Sequence, residues 1–229
     1  MKFTVIGVGP GDKDQITIKA LKEIEKADLV LTPHSKTGKA SVAEQVFRAH
    51  LPQISTHSIV FPMSGSEKER DDALLKQLTE MEPLWKDAKN IVLPVIGDSS
   101  LYATGAYLYD VWKTLVPDIE LALVPGIPAY SLATSIISSF LVLGDEILTI
   151  IPANKEIDKL KEALKISNTV ALYKPYILRD KLEEIITSTG KWKKIVRIDE
   201  AGLPNEKIYE GEAALKQATE YLSILLLWK

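Results

Sequence analysis

The first half of the chain alternates short apolar runs with stretches in which apolar residues recur at helical spacing. Apolar runs cover residues 3–8, 29–31 and 91–96, and helical spacing follows the first and third runs, at 16–27 and 101–115. Strands that alternate with helices pair in parallel, and the loops after the strands collect at one edge, where ligands bind. The alternation therefore predicts a parallel α/β sheet with a ligand edge.

A capping signal predicts a further helix between the second and third apolar runs. Ser66 is followed three positions later by Glu69, which is the capping-box pattern of a helix N-terminus. Apolar residues then recur at helical spacing at Leu74, Leu78, Met81 and Trp85. This spacing predicts a helix that continues to Trp85.

The second half of the chain carries the pattern of a separate α/β domain. The whole chain has 229 residues, which allow one large or two small domains, and Val124-Pro125-Gly126-Ile127-Pro128 has the composition of a hinge. Behind the hinge we predict helices at 129–140, 157–164 and 178–186 and strands at 147–151, 169–173, 194–198 and 221–228. The predicted fold class is α/β, with domains at 1–124 and 125–229.

Charge and cysteine content exclude several classes of protein. The chain has 28 basic and 31 acidic side chains and a formal net charge of -3, so nothing favours a nucleic-acid partner. It has no cysteine, which excludes disulfides, thiolate zinc sites and a cysteine nucleophile. Its histidines show no metal-ligand spacing, and we expect no metal site.

The sequence predicts a cytoplasmic protein without a membrane span. No long apolar segment of a signal peptide follows Met1. Residues 121–143 are uncharged and long enough to cross a bilayer, but Pro125, Gly126 and Pro128 interrupt them early. We interpret this stretch as a strand, a turn and a buried helix.

The glycine loop after the first apolar run permits a nucleotide-like ligand but is not a dinucleotide fingerprint. Gly7, Gly9 and Gly11 allow a backbone to approach a ligand closely, or form only a tight turn. The spacing is G-x-G-P-G rather than G-x-G-x-x-G, and Pro10 removes one N–H donor. An NAD-linked dehydrogenase is therefore disfavoured, and no phosphate-loop motif is present.

Three motifs in order resemble those of the tetrapyrrole methylase family. They are the glycine loop at 5–12, Gly97-Asp98-Ser99-Ser100-Leu101-Tyr102 after the third run, and the hinge motif at 124–127. Further cues of the same resemblance are Phe61-Pro62-Met63, Leu143-Gly144-Asp145-Glu146, Leu172-Tyr173-Lys174 and Glu200-Ala201-Gly202-Leu203-Pro204. The match in order and spacing extends across nearly the whole chain.

The resemblance implies a methyltransferase that uses S-adenosylmethionine. It implies two α/β domains with the cofactor in the cleft between them, a small tetrapyrrole substrate and a homodimer. The cues most resemble those of enzymes of cobalamin biosynthesis that methylate C(20) of precorrin-2 or cobalt-precorrin-2. Methyl transfer requires orientation and exclusion of water more than acid–base groups, which agrees with the absence of a catalytic triad in the sequence.

The resemblance also assigns the site residues. The expected cofactor contacts are Pro10, Ile96, Gly97, Asp98, Leu101, Pro128, Ala129, Tyr173, Ala201 and Gly202. The expected substrate contacts are Gly9, Pro10, Gly11 and the candidate carboxylate partners Lys36, Lys39 and Lys174. No catalytic residue is assigned; His34, in the loop after the second run, is a candidate proton shuttle or substrate contact.

Some of these positions have a second interpretation, or depart from the family pattern. Asp98 either accepts hydrogen bonds from the cofactor or caps a helix that begins near Ser99. Ser99 stands where the family usually has proline, and Pro128 stands where it usually has serine or threonine. Tyr173 is either an adenine contact or a packed aromatic residue.

Other functions remain open from the sequence. Within the same superfamily the alternatives are a diphthine synthase and a ribosomal RNA ribose methyltransferase, although the net charge of -3 disfavours RNA. Outside it, the chain could be a non-enzymatic protein that binds a small ligand.

Overall fold

The computed structural model describes residues 1–35, 41–62, 65–216 and 220–229. The chain divides into two compact units, Met1–Pro128 and Ala129–Lys229. The predicted domain boundary lies slightly earlier, after Val124. Each unit has its own sheet and its own buried clusters.

The first unit contains a five-stranded parallel sheet with the order β3-β2-β4-β1-β5. Its strands are β1 (Lys2–Gly7), β2 (Leu29–His34), β3 (His57–Val60), β4 (Asn90–Val95) and β5 (Glu120–Val124). Its helices are α1 (Ile18–Glu25), α2 (Val42–Arg48), α3 (Glu67–Glu80), α4 (Glu82–Trp85) and α5 (Gly105–Leu115), with a 3₁₀ turn at Lys13–Gln15. The predicted parallel α/β architecture is confirmed.

The helices of the first unit cover both faces of its sheet. Ile24 of α1 and Phe47 of α2 pack on one face, with Ile6 of β1. Leu78 of α3 and Trp112 of α5 pack on the other. The inner strands β1 and β4 are buried on both faces, as expected for a parallel sheet, whereas the edge strands β3 and β5 are partly exposed.

The capping box at Ser66 is confirmed, but the helix that follows is shorter than predicted. The Ser66 side chain accepts from the Glu69 N–H, and the Glu69 side chain accepts from the Ser66 N–H. The helix ends at Glu80, and a separate short helix, α4, begins after Met81. Pro83 has no N–H to continue the first helix but is compatible with the first turn of a new one.

The second unit contains a mixed five-stranded sheet with the order β6-β7-β10-β8-β9. Its strands are β6 (Leu148–Pro152), β7 (Thr169–Tyr173), β8 (Lys194–Asp199), β9 (Lys207–Glu210) and β10 (Ser223–Trp228). Its helices are α6 (Ala129–Ile136), α7 (Ile157–Ile166), α8 (Leu182–Thr187) and α9 (Glu212–Leu215). Strands β6 and β7 are parallel, and the pairs that involve β10 or β9 are antiparallel.

Two predicted helices of the second unit differ from the structure. Helix α6 ends at Ile136 rather than at residue 140, because Ser138 has a positive φ of 50°. The stretch 178–186 contains the end of a 3₁₀ segment, Pro175–Lys181, and most of α8, because Arg179 is non-helical at φ 51° and ψ -127°. Among the described residues, no helix is both long and apolar enough to cross a membrane.

Candidate functional site

The ends of β1 and β4 lie at the position where parallel α/β sheets usually have a ligand-binding crevice. These strands are neighbours in the sheet, with Gly7 opposite Val95. The helix after β1 packs on one face, and the helix after β4 packs on the other, so the chain leaves the two strand ends in opposite directions. Such a topological switch point is the usual ligand position of an open α/β sheet.

Two glycine loops meet at this crevice through their backbones. The Gly9 N–H donates to the Gly97 carbonyl at 3.2 Å, and the Gly97 N–H donates to the Gly9 carbonyl at 2.7 Å. Both residues have positive φ, 84° for Gly9 and 75° for Gly97. The conformation favours glycine at both positions because a side chain is strained there.

The loop after β5 reaches the same place. A Cβ on Gly126 would lie 2.3 Å from the Gly97 carbonyl oxygen, and a Cβ on Gly7 would lie 2.6 Å from the Gly126 nitrogen. No side chain fits at these separations, so the close backbone contact of the three loops requires glycine at Gly7 and Gly126. The structure therefore brings the three sequence motifs of the first unit together.

Gly97 and Gly9 differ in what surrounds them. A Cβ built on Gly97 would meet nothing within 4 Å, whereas one built on Gly9 would lie 2.8 Å from the Gln15 carbonyl oxygen. A side chain at position 97 would therefore extend into open space. Glycine at position 9 is required by the packing of the chain itself.

Asp98 connects two of the loops through its carboxylate. One oxygen accepts from the N–H and hydroxyl of Ser100, and the other accepts from the Gly126 N–H at 2.9 Å. Partial burial raises the pKa of Asp98, but hydrogen bonds from Ser100, Gly126 and Ser99 outweigh it and leave the pKa below its ordinary value. Asp98 is thus an ionised acceptor at neutral pH.

The helix-cap interpretation of Asp98 is wrong. Helix α5 begins at Gly105, and its N-cap residue is Thr104. Asp98 instead forms a turn with Ser100, a common use of an Asp-x-Ser sequence. That sequence pattern could have identified Ser100 as its partner, whereas the contact with Gly126 depends on the tertiary fold.

The other predicted contacts in the first unit lie along the same loops. Pro10 is buried directly after Gly9, and Gly11 follows it half-buried. Ile96 packs against the apolar cluster beneath α1, and Leu101 is half-buried in the loop before α5. Pro128 is the last residue of this unit.

In the second unit, the structure brings three of the predicted contacts together. Ala129 of α6 and Tyr173 at the end of β7 pack against the cluster that contains the buried Ala201. Strands β7 and β8 run in the same direction because each is antiparallel to β10. Tyr173 and Ala201 therefore come from the same edge of this sheet, and Gly202 continues the turn after β8 with φ 74°.

The predicted histidine and lysines have mixed outcomes. His34 is the last residue of β2 rather than part of a loop, and its Nε2 lies 3.1 Å from Thr32 Oγ1 and 3.2 Å from Ser58 Oγ. Lys174 follows β7 in a left-handed conformation, at φ 57°. Lys36, Lys39 and Met63 lie outside the described residues. Within the described ranges, no group of three or more carboxylate and histidine side chains could hold a metal ion.

Comparison with known proteins places the relatives of this chain in one family. The family model of the tetrapyrrole (corrin/porphyrin) methylases matches residues 2–216. The chain is 31% identical to a probable cobalt-precorrin-2 C(20)-methyltransferase of Methanocaldococcus jannaschii, over 97% of this chain and 94% of that protein. It is 24% identical to a precorrin-2 C(20)-methyltransferase of a Sinorhizobium species, over 98% and 94%.

A solved structure has the same fold. The uroporphyrin-III C-methyltransferase of Thermus thermophilus, in complex with S-adenosylhomocysteine, superposes with a TM-score of 0.70. It is 16% identical to this chain, and the alignment covers all of this chain and 98% of that one.

Proposed function

The chain belongs to the tetrapyrrole (corrin/porphyrin) methylases, and from that premise we propose that it methylates C(20) of precorrin-2 or cobalt-precorrin-2. It is an S-adenosylmethionine-dependent methyltransferase of cobalamin biosynthesis. The observation that carries the choice of C(20) is the 31% identity to the Methanocaldococcus jannaschii relative over nearly the full length of both chains. The Sinorhizobium relative, at lower identity, has the same regiospecificity in its name.

The crevice of the first unit fits part of the cofactor. Beside Gly97 there is open space, and the ionised Asp98 can accept from a hydroxyl or amino group. When bound, S-adenosylmethionine supplies an electrophilic methyl group to the nucleophilic meso carbon of the tetrapyrrole. The residues of this chain hold and orient the reactants and exclude water, which is where most of the rate enhancement arises for such a reaction.

We retain the remaining site residues as parts of this proposal. The proposed cofactor contacts are Pro10, Ile96, Gly97, Asp98, Leu101 and Pro128 in the first unit, and Ala129, Tyr173, Ala201 and Gly202 in the second. The proposed substrate contacts are Gly9, Pro10, Gly11, Lys36, Lys39 and Lys174. His34 stays a candidate proton shuttle or substrate contact.

We also propose that the enzyme acts as a homodimer in the cytoplasm, as its family resemblance implies. Sedimentation velocity of the purified protein at micromolar concentration tests the oligomeric state. A single species of twice the 25.4 kDa chain mass is expected. A monomer at all concentrations would contradict it.

Titration calorimetry with S-adenosylhomocysteine, beside NADH as a control, tests the cofactor. Micromolar binding of S-adenosylhomocysteine alone is expected. Incubation with S-adenosylmethionine and precorrin-2 should then yield S-adenosylhomocysteine and a singly methylated tetrapyrrole in equal amounts. Binding without turnover on any tetrapyrrole would favour a macromolecular substrate, as in the diphthine synthase alternative, or a non-enzymatic protein.

A further inference from the structure

A cavity in the first unit lies beside the loop that carries Asp98. It has a volume of about 330 Å³ and lies between the start of α5 and the edge strand β5. Leu121 and Leu123 of β5 form one wall, and Ala106 and Tyr107 of α5 form another. Leu123 and Tyr107 are 46% and 44% exposed, so the cavity opens to the surface of this unit.

Leu121 and Leu123 form an exposed apolar face at the edge of the sheet. Leu121 and Leu123 are the neighbours of Phe3 and Val5 in the sheet, and those two residues are completely covered by α5. Helix α5 does not extend over β5, so the apolar face continues outward uncovered. An apolar concavity of this kind is a typical binding surface.

The cavity also contains a buried hydroxyl without a partner. Ser99 is only 5% exposed and lines the cavity, and within the described part of the chain its Oγ has no hydrogen-bond partner. Buried polar atoms are normally hydrogen-bonded, so this hydroxyl is available to a water, an ion or a ligand group that completes the bond. Ser99 directly follows Asp98, so this hydroxyl lies next to the crevice described above.

The first turn of α5 also favours a ligand group that accepts hydrogen bonds. Thr104, its N-cap residue, makes no side-chain cap hydrogen bond, and Ala103 and Ala106 line the cavity. The first turn of a helix has N–H groups without intrahelical partners and a partial positive charge, which favour a carboxylate or phosphate.

The uncharged lining and the volume of the cavity limit which ligand groups it can bind. All side chains that line the cavity are uncharged, and the nearby Arg70, stacked 3.9 Å from the Tyr107 ring centroid, is already paired with Asp71 at 2.7 Å. A cavity of about 330 Å³ is at the lower limit for a drug-sized ligand and is too small for a whole tetrapyrrole. The cavity is large enough for one flexible side chain of a ligand that has methylene groups and ends in a hydrogen-bond acceptor.

We infer that this cavity binds one carboxylate-bearing side chain of the tetrapyrrole, with the Ser99 hydroxyl donating to the carboxylate. The methylene stem of that side chain packs on Leu121 and Leu123. The inference rests on the proposed function, because it takes the tetrapyrrole to be the substrate. It makes Ser99 a specificity-determining residue that orients the macrocycle.

Two variants and two controls test this inference. Ser99→Ala removes the hydroxyl, and Ala106→Leu fills the cavity from an exposed helical position where leucine is well tolerated. Ser188→Ala removes a hydroxyl in the second unit, and Lys113→Leu adds a leucine to α5 outside the cavity lining. Precorrin-2 is titrated into each protein at saturating S-adenosylhomocysteine, so that no turnover occurs, and S-adenosylhomocysteine affinity is measured separately by calorimetry.

Ser99→Ala is expected to weaken precorrin-2 binding about tenfold, as for loss of a hydrogen bond to a charged group. Ala106→Leu is expected to weaken it at least as much, because the leucine occupies the cavity. Their affinity for S-adenosylhomocysteine should stay within about twofold of wild type, which also shows that they are folded, and both controls should match wild type. Unchanged precorrin-2 affinity in both variants would overturn the inference while leaving the proposed function intact.

Two other outcomes would also overturn the inference. Failure of the wild-type protein itself to bind either precorrin-2 or cobalt-precorrin-2 would remove the proposed function and the inference together. A change of oligomeric state in Ala106→Leu, detected by sedimentation velocity, would show that a second copy of the chain covers this cavity.

Discussion

At the scale of single residues, Asp98 has both a structural and a proposed binding role. Its carboxylate connects the loops after β4 and β5 through Ser100 and Gly126. Asp98→Asn replaces one carboxylate oxygen by an NH₂ group, which donates hydrogen bonds and would face a group that also donates, either at Ser100 or at Gly126. We expect a loss of about 1 kcal/mol in unfolding free energy and weaker S-adenosylhomocysteine binding. Asp110→Asn on the exposed face of α5 is the control and should change neither.

The pH dependence of this loss has a definite sign. Because the folded pKa of Asp98 is lowered, its stabilisation is fully present above the ordinary aspartate value of about 4 and disappears as pH falls through the folded pKa. The difference between wild type and Asp98→Asn in urea unfolding should therefore shrink below about pH 4. A difference that is constant across this range would contradict the role of the ionised form.

Substitution of Gly97 can distinguish a loss of ligand binding from a loss of stability through backbone strain. Gly97→Ala places a methyl group in open space at φ 75°, and Gly144→Ala does the same in the second unit at φ 52°. Each should lose about 1 to 2 kcal/mol from left-handed strain alone. Only Gly97→Ala should also weaken S-adenosylhomocysteine binding in calorimetry. Equal affinities for the two variants would remove Gly97 from the cofactor site.

At the scale of secondary-structure elements, one glycine sets the distance between α5 and the sheet. A Cβ on Gly105 would lie 2.5 Å from Val5 Cγ2. Gly105→Ala is expected to lose about 2 kcal/mol in urea unfolding through overpacking, and the additional substitution Val5→Ala should relieve part of that clash. Strictly additive effects in the double variant would contradict a direct contact between these positions.

In the second unit, β8 contains a buried ion pair whose arginine also donates to backbone carbonyls in and after α9. Arg197 and Asp199 are 4% and 2% exposed, with Nε and Oδ1 3.1 Å apart, and Arg197 Nη1 donates to the carbonyls of Ala214 and Lys216. Burial raises the pKa of Asp199, and Arg197 partly opposes this rise. Removal of the cation therefore leaves a buried carboxylate without compensation.

Arg197→Met is expected to lose about 3 kcal/mol at pH 7, whereas Lys76→Met, at an exposed ion pair, should lose about 0.5 kcal/mol or less. Because the folded pKa of Asp199 is raised, its ionisation opposes folding as pH rises above about 4. The loss in Arg197→Met should thus be smaller at pH 4.5 than at pH 7 in urea unfolding. Similar losses of unfolding free energy in the two variants at pH 7 would show that the buried ion pair stabilises the fold no more than the exposed one.

The elements that the sequence predicted best are those whose local pattern and burial agree. Strands β1, β4 and β7 are continuous apolar runs buried in the sheet, and the Ser66 capping box determines the start of α3. Strands β3 and β9 were not predicted, because each has four residues and a partly exposed surface. Their pairing depends on long-range neighbours, which a local pattern does not contain.

At the scale of the whole molecule, the three sequence motifs of the first unit lie together for one structural reason. They follow β1, β4 and β5, and a parallel sheet places the ends of these strands side by side. The sequence could therefore predict that the motifs share a site. It could not predict the contact of Asp98 with Gly126 or the cavity beside Ser99, because both depend on how α5 and β5 pack.

The two units have separate cores, and the family assignment spans both, from residue 2 to residue 216. The central claim is that this chain transfers one methyl group to C(20) of precorrin-2 or cobalt-precorrin-2. The most direct test uses S-adenosylmethionine with a ¹³C-labelled methyl group, with ¹³C NMR of the isolated tetrapyrrole. A single new labelled methyl group, bonded to the C(20) meso carbon, is the predicted result. A labelled methyl group at any other ring position, or none with either substrate while S-adenosylhomocysteine binds, would contradict the claim.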